Sequence, residues 1–269
     1  MPCPRGRVGS NPTRRMTRPA DQVASVLALA ADGMNQSEIA RRTGIPRLTV
    51  NDWANGRTPS EDRGRKCFRC RSGHANFPEQ RRAAYAYLLG LYLGDGHLAR
   101  GRRDVWTLRV FLDRAYPVIV HECQTAMSLV LPTSRARIQR DRKAQMYVVC
   151  ASGKHWPCAL PQHGKGMKHQ RPIRLYPWQR EILGSYPWRF LRGLIHSDGC
   201  RFSNPAIHPQ RTYRYTRYMF SNRSADIRNL FSEYCALVGV DCRPSNEWTV
   251  SIARRNSVAL MDLHIGAKR

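Results

Sequence analysis

The stretch Tyr87-Leu88-Leu89-Gly90-Leu91-Tyr92-Leu93-Gly94-Asp95-Gly96 returns later in the chain as Phe190-Leu191-Arg192-Gly193-Leu194-Ile195-His196-Ser197-Asp198-Gly199. Asp198 stands 103 residues after Asp95, enough chain for one compact half-domain between the copies. In each copy apolar residues fall at i, i+3 and i+4: Leu88, Leu91 and Tyr92, then Leu191, Leu194 and Ile195. That is the face of a helix lying on a sheet. Small residues stand four apart on another face, Gly90 with Gly94 and Gly193 with Ser197. Such spacing lets two helix backbones approach closely. The two copies are expected to meet helix against helix, each ending in Asp-Gly with the glycine in the left-handed C-cap position.

A carboxylate at a helix C-terminus opposes the helix dipole, and two brought to one seam repel each other. A divalent cation makes both placements favourable, because carboxylate oxygens are hard ligands suited to Mg²⁺. Asp95 and Asp198 are therefore the candidate metal ligands, with Mg²⁺ or another divalent cation as cofactor.

Each copy leads into the same order of elements. An alternating stretch follows (105–113; 213–220), then a helix (115–131; 225–238) and a hairpin (135–151, with Asp141-Arg142-Lys143 at its turn; 241–253). A short last helix is expected at 257–264. A repeat of this kind implies two similar units about a pseudo-two-fold axis. The fold class is α+β, with residues 83–269 forming one domain of two halves, about 83–185 and 186–269.

Upstream, residues 1–20 read as a flexible basic tail, with Met16 an alternative start. Residues 21–58 read as three short helices. Val23, Val26, Leu27 and Ala30 share one face of the first, and Gly33 ends it. Ile39 and Ala40 face inward from the second, Gly44-Ile45-Pro46 breaks the chain, and Val50 and Trp53 face inward from the third. This resembles the helix-turn-helix domains of bacterial regulators and recombinases. The resemblance places the third helix in a major groove, with Arg47, Thr49, Asn51 and Asp52 toward DNA and Arg57 on the backbone. Residues 59–82 read as a basic linker holding Cys67-Phe68-Arg69-Cys70 and His74. The cysteine pair is half of a zinc site. Its other ligands are sought in His155, Cys158, His163 and His169, with His155 and Cys158 as the leading choice for a structural Zn²⁺. Their Pro/Gly-rich loop shows no hydrophobic periodicity.

The chain carries 45 Lys+Arg against 19 Asp+Glu in 269 residues, a net charge of +26, and 42% of its residues are apolar. That apolar content supports a packed core and excludes full-length disorder. The charge calls for an acidic partner, and nucleic acid is the commonest. No stretch approaches the ~18 apolar residues of a membrane span, and the amino-terminal residues lack the apolar core of a secretory signal. Nine cysteines without an export signal point to reduced thiols or metal ligands in a cytosol.

Residues 88–96 and 191–199, within this element order, resemble the LAGLIDADG homing endonucleases of the single-chain, two-motif type. The resemblance covers about residues 83–269 and implies a pair of αββαββα half-domains, their antiparallel sheets forming a saddle over DNA and the motif helices their interface. It places the acidic motif position on Asp95 and Asp198. It implies metal-assisted hydrolysis of phosphodiester bonds in double-stranded DNA by a monomer, each Asp acting with a neighbouring backbone carbonyl. A polar/basic pair near the end of each second strand falls on Asp113-Arg114 and Asn222-Arg223, with Lys143 a further candidate. Arg109, Arg135, Arg137, Tyr213, Tyr215 and Arg217 are the strand residues expected to face DNA. Cytoplasmic location in a bacterium and origin in a mobile element belong to the same expectation. The alternative is a DNA-binding transcriptional regulator that kept the fold and lost the activity. An intein is set aside, since no splicing residues stand at the ends.

Overall fold

A computed structural model describes residues 20–56, 77–141, 145–208 and 211–269, without the side chains of 20, 204, 206–208 and 211–213. Lys143, Arg57, Cys67, Cys70, His74, the 1–19 tail and the side chain of Tyr213 lie outside that description. The chain divides into two compact units between Lys66 and Cys67.

The first unit contains α1 (Ala20–Ala31), α2 (Gln36–Thr43) and α3 (Arg47–Ala54). Gly33 ends the first helical segment at φ +80° and Gly44 caps α2 at φ +65°. Both are left-handed positions that glycine takes without steric cost. The Asn35 side chain caps α2 by accepting from the Glu38 amide at 2.9 Å. The core is Val26, Ile39, Ile45, Val50 and Trp53, with Val23, Leu29, Ala30, Met34 and Ala40 around it. Leu27, expected inside, is exposed; Leu29 and Met34 take that role instead.

The second unit has the expected α+β architecture. Its first half runs α4 (Glu79–Asp95), β1 (Gly96–Arg100), β2 (Trp106–Asp113), α5 (Pro117–Val130), β3 (Arg137–Arg140), β4 (Met146–Gly153), α6 (Trp156–Ala159) and α7 (Pro177–Ser185). The second half runs α8 (Pro187–Asp198), β5 (Gly199–His208), β6 (Arg211–Ser221), α9 (Ala225–Leu237), β7 (Arg243–Asn246), β8 (Thr249–Ile252) and α10 (Arg255–His264). Each half closes one antiparallel four-stranded sheet, ordered β1-β2-β4-β3 and β5-β6-β8-β7. The same order twice is the signature of the repeat.

The sheets obey the period of two. On β2, Leu108, Val110 and Leu112 are buried while Arg109 and Asp113 are exposed; on β6, Tyr218 and Phe220 are buried. Those inward residues join both motif helices in one core. Arg135 precedes β3, so it does not share that strand with Arg137 as the alternation suggested.

The helices α4 and α8 form the seam. A Cβ added at Gly193 would stand 2.2 Å from the Tyr87 carbonyl oxygen, and one at Gly90 would stand 2.5 Å from that of Phe190. Real Cβ atoms do not approach so closely, so main chain meets main chain there. Polar contacts brace α8 on both sides. The Tyr87 hydroxyl and His196 Nδ1 are 2.9 Å apart, and Arg192 on α8 donates to both Glu122 carboxylate oxygens of α5 at 3.0–3.2 Å.

The motif glycines depart from the expectation. Gly96 (φ −84°, ψ 144°) and Gly199 (φ −100°, ψ 165°) are extended, not left-handed. Each helix passes directly into a strand, and the glycine is required by space. A Cβ would stand 2.5 Å from the Tyr92 Cα at Gly96 and 2.7 Å from the Ile195 Cα at Gly199.

Candidate functional site

Asp95 and Asp198 are the last residues of α4 and α8, so the helix crossing delivers both carboxylates to one end of the seam. Asp198 Oδ2 lies 2.9 Å from where a Cβ on Gly94 would stand, and so borders the residue before Asp95. Both acids are half-buried. Loss of water, then the Asp198 charge, pushes the Asp95 pKa up to about 6, against the pull of Lys168 and Lys268. Asp198 is raised too, chiefly by burial, but an amide restrains the rise: Asn222 Nδ2 donates to Asp198 Oδ2 at 2.6 Å.

Two lysines complete the cluster. Lys168, on a 3₁₀ turn at Lys168–Gln170, donates from Nζ to the carbonyls of Tyr92 (2.6 Å), Leu93 (3.0 Å) and Gly94 (2.5 Å). Lys268 donates from Nζ to the carbonyl of Ser197 at 2.9 Å. Each ammonium sits at the C-terminus of a motif helix, where orphan carbonyls and the dipole favour positive charge. Burial lowers the pKa of both lysines, that of Lys168 to about 8, while Asp95 and Asp198 oppose the fall. The seam thus holds two carboxylates and two ammoniums, provided twice over by equivalent places in the repeat.

The strand-end pairs behave differently. Asp113 Oδ1 accepts from the Ala115 amide at 2.8 Å, and Asn222 Oδ1 accepts from the Ser224 amide at 2.8 Å. Both are Asx turns, one at the last residue of β2 and the other just after β6. Arg114 donates to Gln145 Oε1 at 2.7 Å, and the Arg223 guanidinium stacks 5.4 Å over the Trp248 ring. It is Asn222, not its arginine neighbour, that touches a motif acid.

The open faces of the sheets carry the strand residues read from the alternation. Arg109 pairs with His97 and Cys150, and Arg137 pairs with Cys150, so Arg109, Arg137 and His97 share the face away from the core. On β6, Tyr215 and Arg217 lie opposite in parity to the buried Tyr218. Of α3, Arg47 and Asp52 are exposed, Thr49 and Asn51 half-buried, and Leu48 is 80% exposed.

The loop sought for zinc belongs to the core. Trp156, Ala159 and Leu160 are buried, and His163 packs edge-on against Trp106 at 5.0 Å. The His155 carbonyl accepts from the amides of Cys158 and Ala159, both at 3.0 Å, which starts α6. Among the described residues no three His, Cys, Asp or Glu side chains gather as a metal site. The donors available to a divalent ion at the seam are therefore two carboxylates and main-chain carbonyls, a hard-oxygen set that fits Mg²⁺ or Mn²⁺ and not a thiol-seeking metal. Among the described residues, no helix is long and apolar enough to cross a membrane.

No family model matches the sequence, and no curated protein does. Solved structures similar to the chain include I-DmoI in complex with DNA and Mn, at 15% identity, with 70% of this chain and 99% of that one covered and a TM-score of 0.43. The I-LtrWI LAGLIDADG homing endonuclease bound to target DNA gives 8% identity, 70% and 85% coverage and a TM-score of 0.44. The N-terminal LAGLIDADG domain of DUF199/WhiA gives 14%, 76% and 93%, and 0.43. At such identities and scores nothing about the chemistry of this chain follows from them.

Proposed function

We propose that the chain is a site-specific endonuclease of double-stranded DNA, hydrolysing phosphodiester bonds with a divalent cation, Mg²⁺ foremost, held at Asp95 and Asp198. The observation that carries this is the convergence of two half-buried carboxylates, with a lysine beside each, at the end of a seam between two like halves. A bound divalent ion would supply a more acidic attacking water and a counter-charge for the leaving oxygen. The chain's own residues do the rest. Gly90 and Gly193 fix the separation of the two acids, and Asn222 orients Asp198. Lys168 and Lys268 place positive charge where a phosphate would approach. Two acids in two halves match two strands of a duplex.

Arg109, Arg137, Tyr215 and Arg217, on the open sheet faces, are suited to phosphate and base-edge contacts. The first unit adds a second contact through α3, from Arg47, Thr49 and Asn51, in the manner of a helix-turn-helix. The enzyme works as a monomer in a cytoplasm. A structural Zn²⁺ on Cys67 and Cys70 stays part of the reading; a substoichiometric zinc content in protein purified without added metal counts against it.

The test is cleavage of a supercoiled plasmid library in Mg²⁺ by the wild type and by an Asp95→Ala/Asp198→Ala double variant. Cutting by the wild type alone is expected, and equal nicking by both sinks the proposal. One observation favours the second reading, a regulator without activity. Arg114 and Arg223 are engaged by Gln145 and Trp248. Sequence-specific binding with no cutting in Mg²⁺ or Mn²⁺ would select it.

A further inference from the structure

The two lysines occupy main-chain oxygens that a metal on the aspartates would compete for. A hard divalent ion held by a carboxylate fills its shell with nearby oxygens. The carbonyl just before Asp95 is that of Gly94, and the one just before Asp198 is that of Ser197. Both already accept from an ammonium, Lys168 at 2.5 Å and Lys268 at 2.9 Å. The charges of two carboxylates and two ammoniums cancel, so the folded seam is satisfied as it stands. A doubly charged ion entering it meets two cations at close range in a half-buried place, where Coulomb repulsion is poorly screened.

We propose that Lys168 and Lys268 act as resident cations that hold divalent metal out of the free protein, so that metal enters together with a nucleic-acid phosphate. The phosphate brings the negative charge that offsets the ion. It also offers each ammonium a charge-assisted acceptor in exchange for its carbonyl. The lock is uneven: Lys168 is tied to three carbonyls and Lys268 to one, so the place beside Asp198 opens first. These lysines are positioning residues in this respect, and the inference rests on the reading of the two aspartates as metal ligands.

The experiment measures Mn²⁺ binding by calorimetry and by the electron paramagnetic resonance of free Mn²⁺. It uses the full chain, alone and with random-sequence duplex DNA. Wild type alone is expected to bind at least about tenfold more weakly than wild type with duplex, by the charge balance above. Lys268→Met is expected to close most of that gap in the free protein, and Lys268→Arg, which keeps the charge, is expected to leave it open. Lys268 is the penultimate residue. Unchanged melting temperatures for these variants separate the effect from misfolding. Equal Mn²⁺ affinity with and without duplex in the wild type, or no gain in Lys268→Met, overturns the lysine lock while leaving the nuclease reading intact. A gain in Lys268→Met that survives Asp95→Asn/Asp198→Asn places the ion elsewhere, and the reading of the aspartates as ligands falls with it.

Discussion

Asp113, the last residue of β2, and Asn222, the first residue after β6, each begin an Asx turn, yet Asn222 reaches a motif acid while Asp113 is exposed and has no such contact among the described residues. The side-chain oxygen of each caps an amide two residues on. The atom left over is a donating NH₂ in one half and an acceptor oxygen in the other. Asn222 therefore steadies the ionised form of Asp198, while among the described residues Asp95 has no side-chain donor and titrates near 6. The strands diverge as well: β5 has 10 residues against 5 in β1. What the halves keep in common is the seam, with its paired glycines, acids and lysines. Duplication here preserved the crossing and let the surroundings drift.

The largest effect expected from this comparison is on the acids themselves. Asp95→Asn or Asp198→Asn alone should reduce cutting of one strand by on the order of a hundredfold or more, leaving a nicking enzyme. Strand-resolved gels on end-labelled duplex check it, and equal loss on both strands by either variant would show that the two acids serve one site.

Next comes the shared seam. Gly90→Ala and Gly193→Ala should each destabilise the second unit by roughly 2–4 kcal/mol, because the added methyl meets main chain that cannot yield. Gly184→Ala in α7, where a Cβ meets nothing within 4 Å, should be neutral or stabilising by about 0.5 kcal/mol. Denaturant midpoints measure all three.

The pH dependence reads the difference between Asp95 and Asp198 directly. With a pKa of about 6, Asp95 loses its charge as pH falls through 6, and cutting of its strand should fall with it. Asn222→Asp removes the amide on Asp198 and should move the other strand's midpoint up. The stability effect has the opposite sense. A carboxyl whose folded pKa is raised favours the fold below its unfolded pKa, near 4, and loses that contribution as pH rises through about 6. Asp95→Asn should therefore melt higher than wild type above pH 6, with the gap closing below pH 4. The smallest effect belongs to Arg114→Ala and Arg223→Ala, whose partners are Gln145 and Trp248. A loss of about 0.5–1 kcal/mol in stability, with strand cutting nearly unchanged, is expected.

Much of this was legible in the residues. The duplicated decapeptide fixes both motif helices and their acids, because glycine spacing and apolar period act locally. The buried alternation of Leu108, Val110 and Leu112 was visible for the same reason. Lys168 and Lys268 were not found, since each reaches a helix end more than 70 residues away in sequence. A signal existed nonetheless. Only 6 of the 45 basic residues are lysine, and two of them stand 100 residues apart, close to the motif offset of 103. In a chain that otherwise uses arginine, a compact ammonium at the end of each motif helix stands out. The loop around His155 and Cys158 shows no hydrophobic periodicity because a short buried turn packs without it, shaped by Trp156 and Leu160.

The contact at Gly90 and Gly193 makes the molecule a gauge of fixed width. At that contact main chain meets main chain, so on the proposed nuclease reading the offset between scissions on opposite strands is set by the thickness of the polypeptide. On that reading, changing the strand residues toward another target would change which duplex is chosen and leave the overhang the same length.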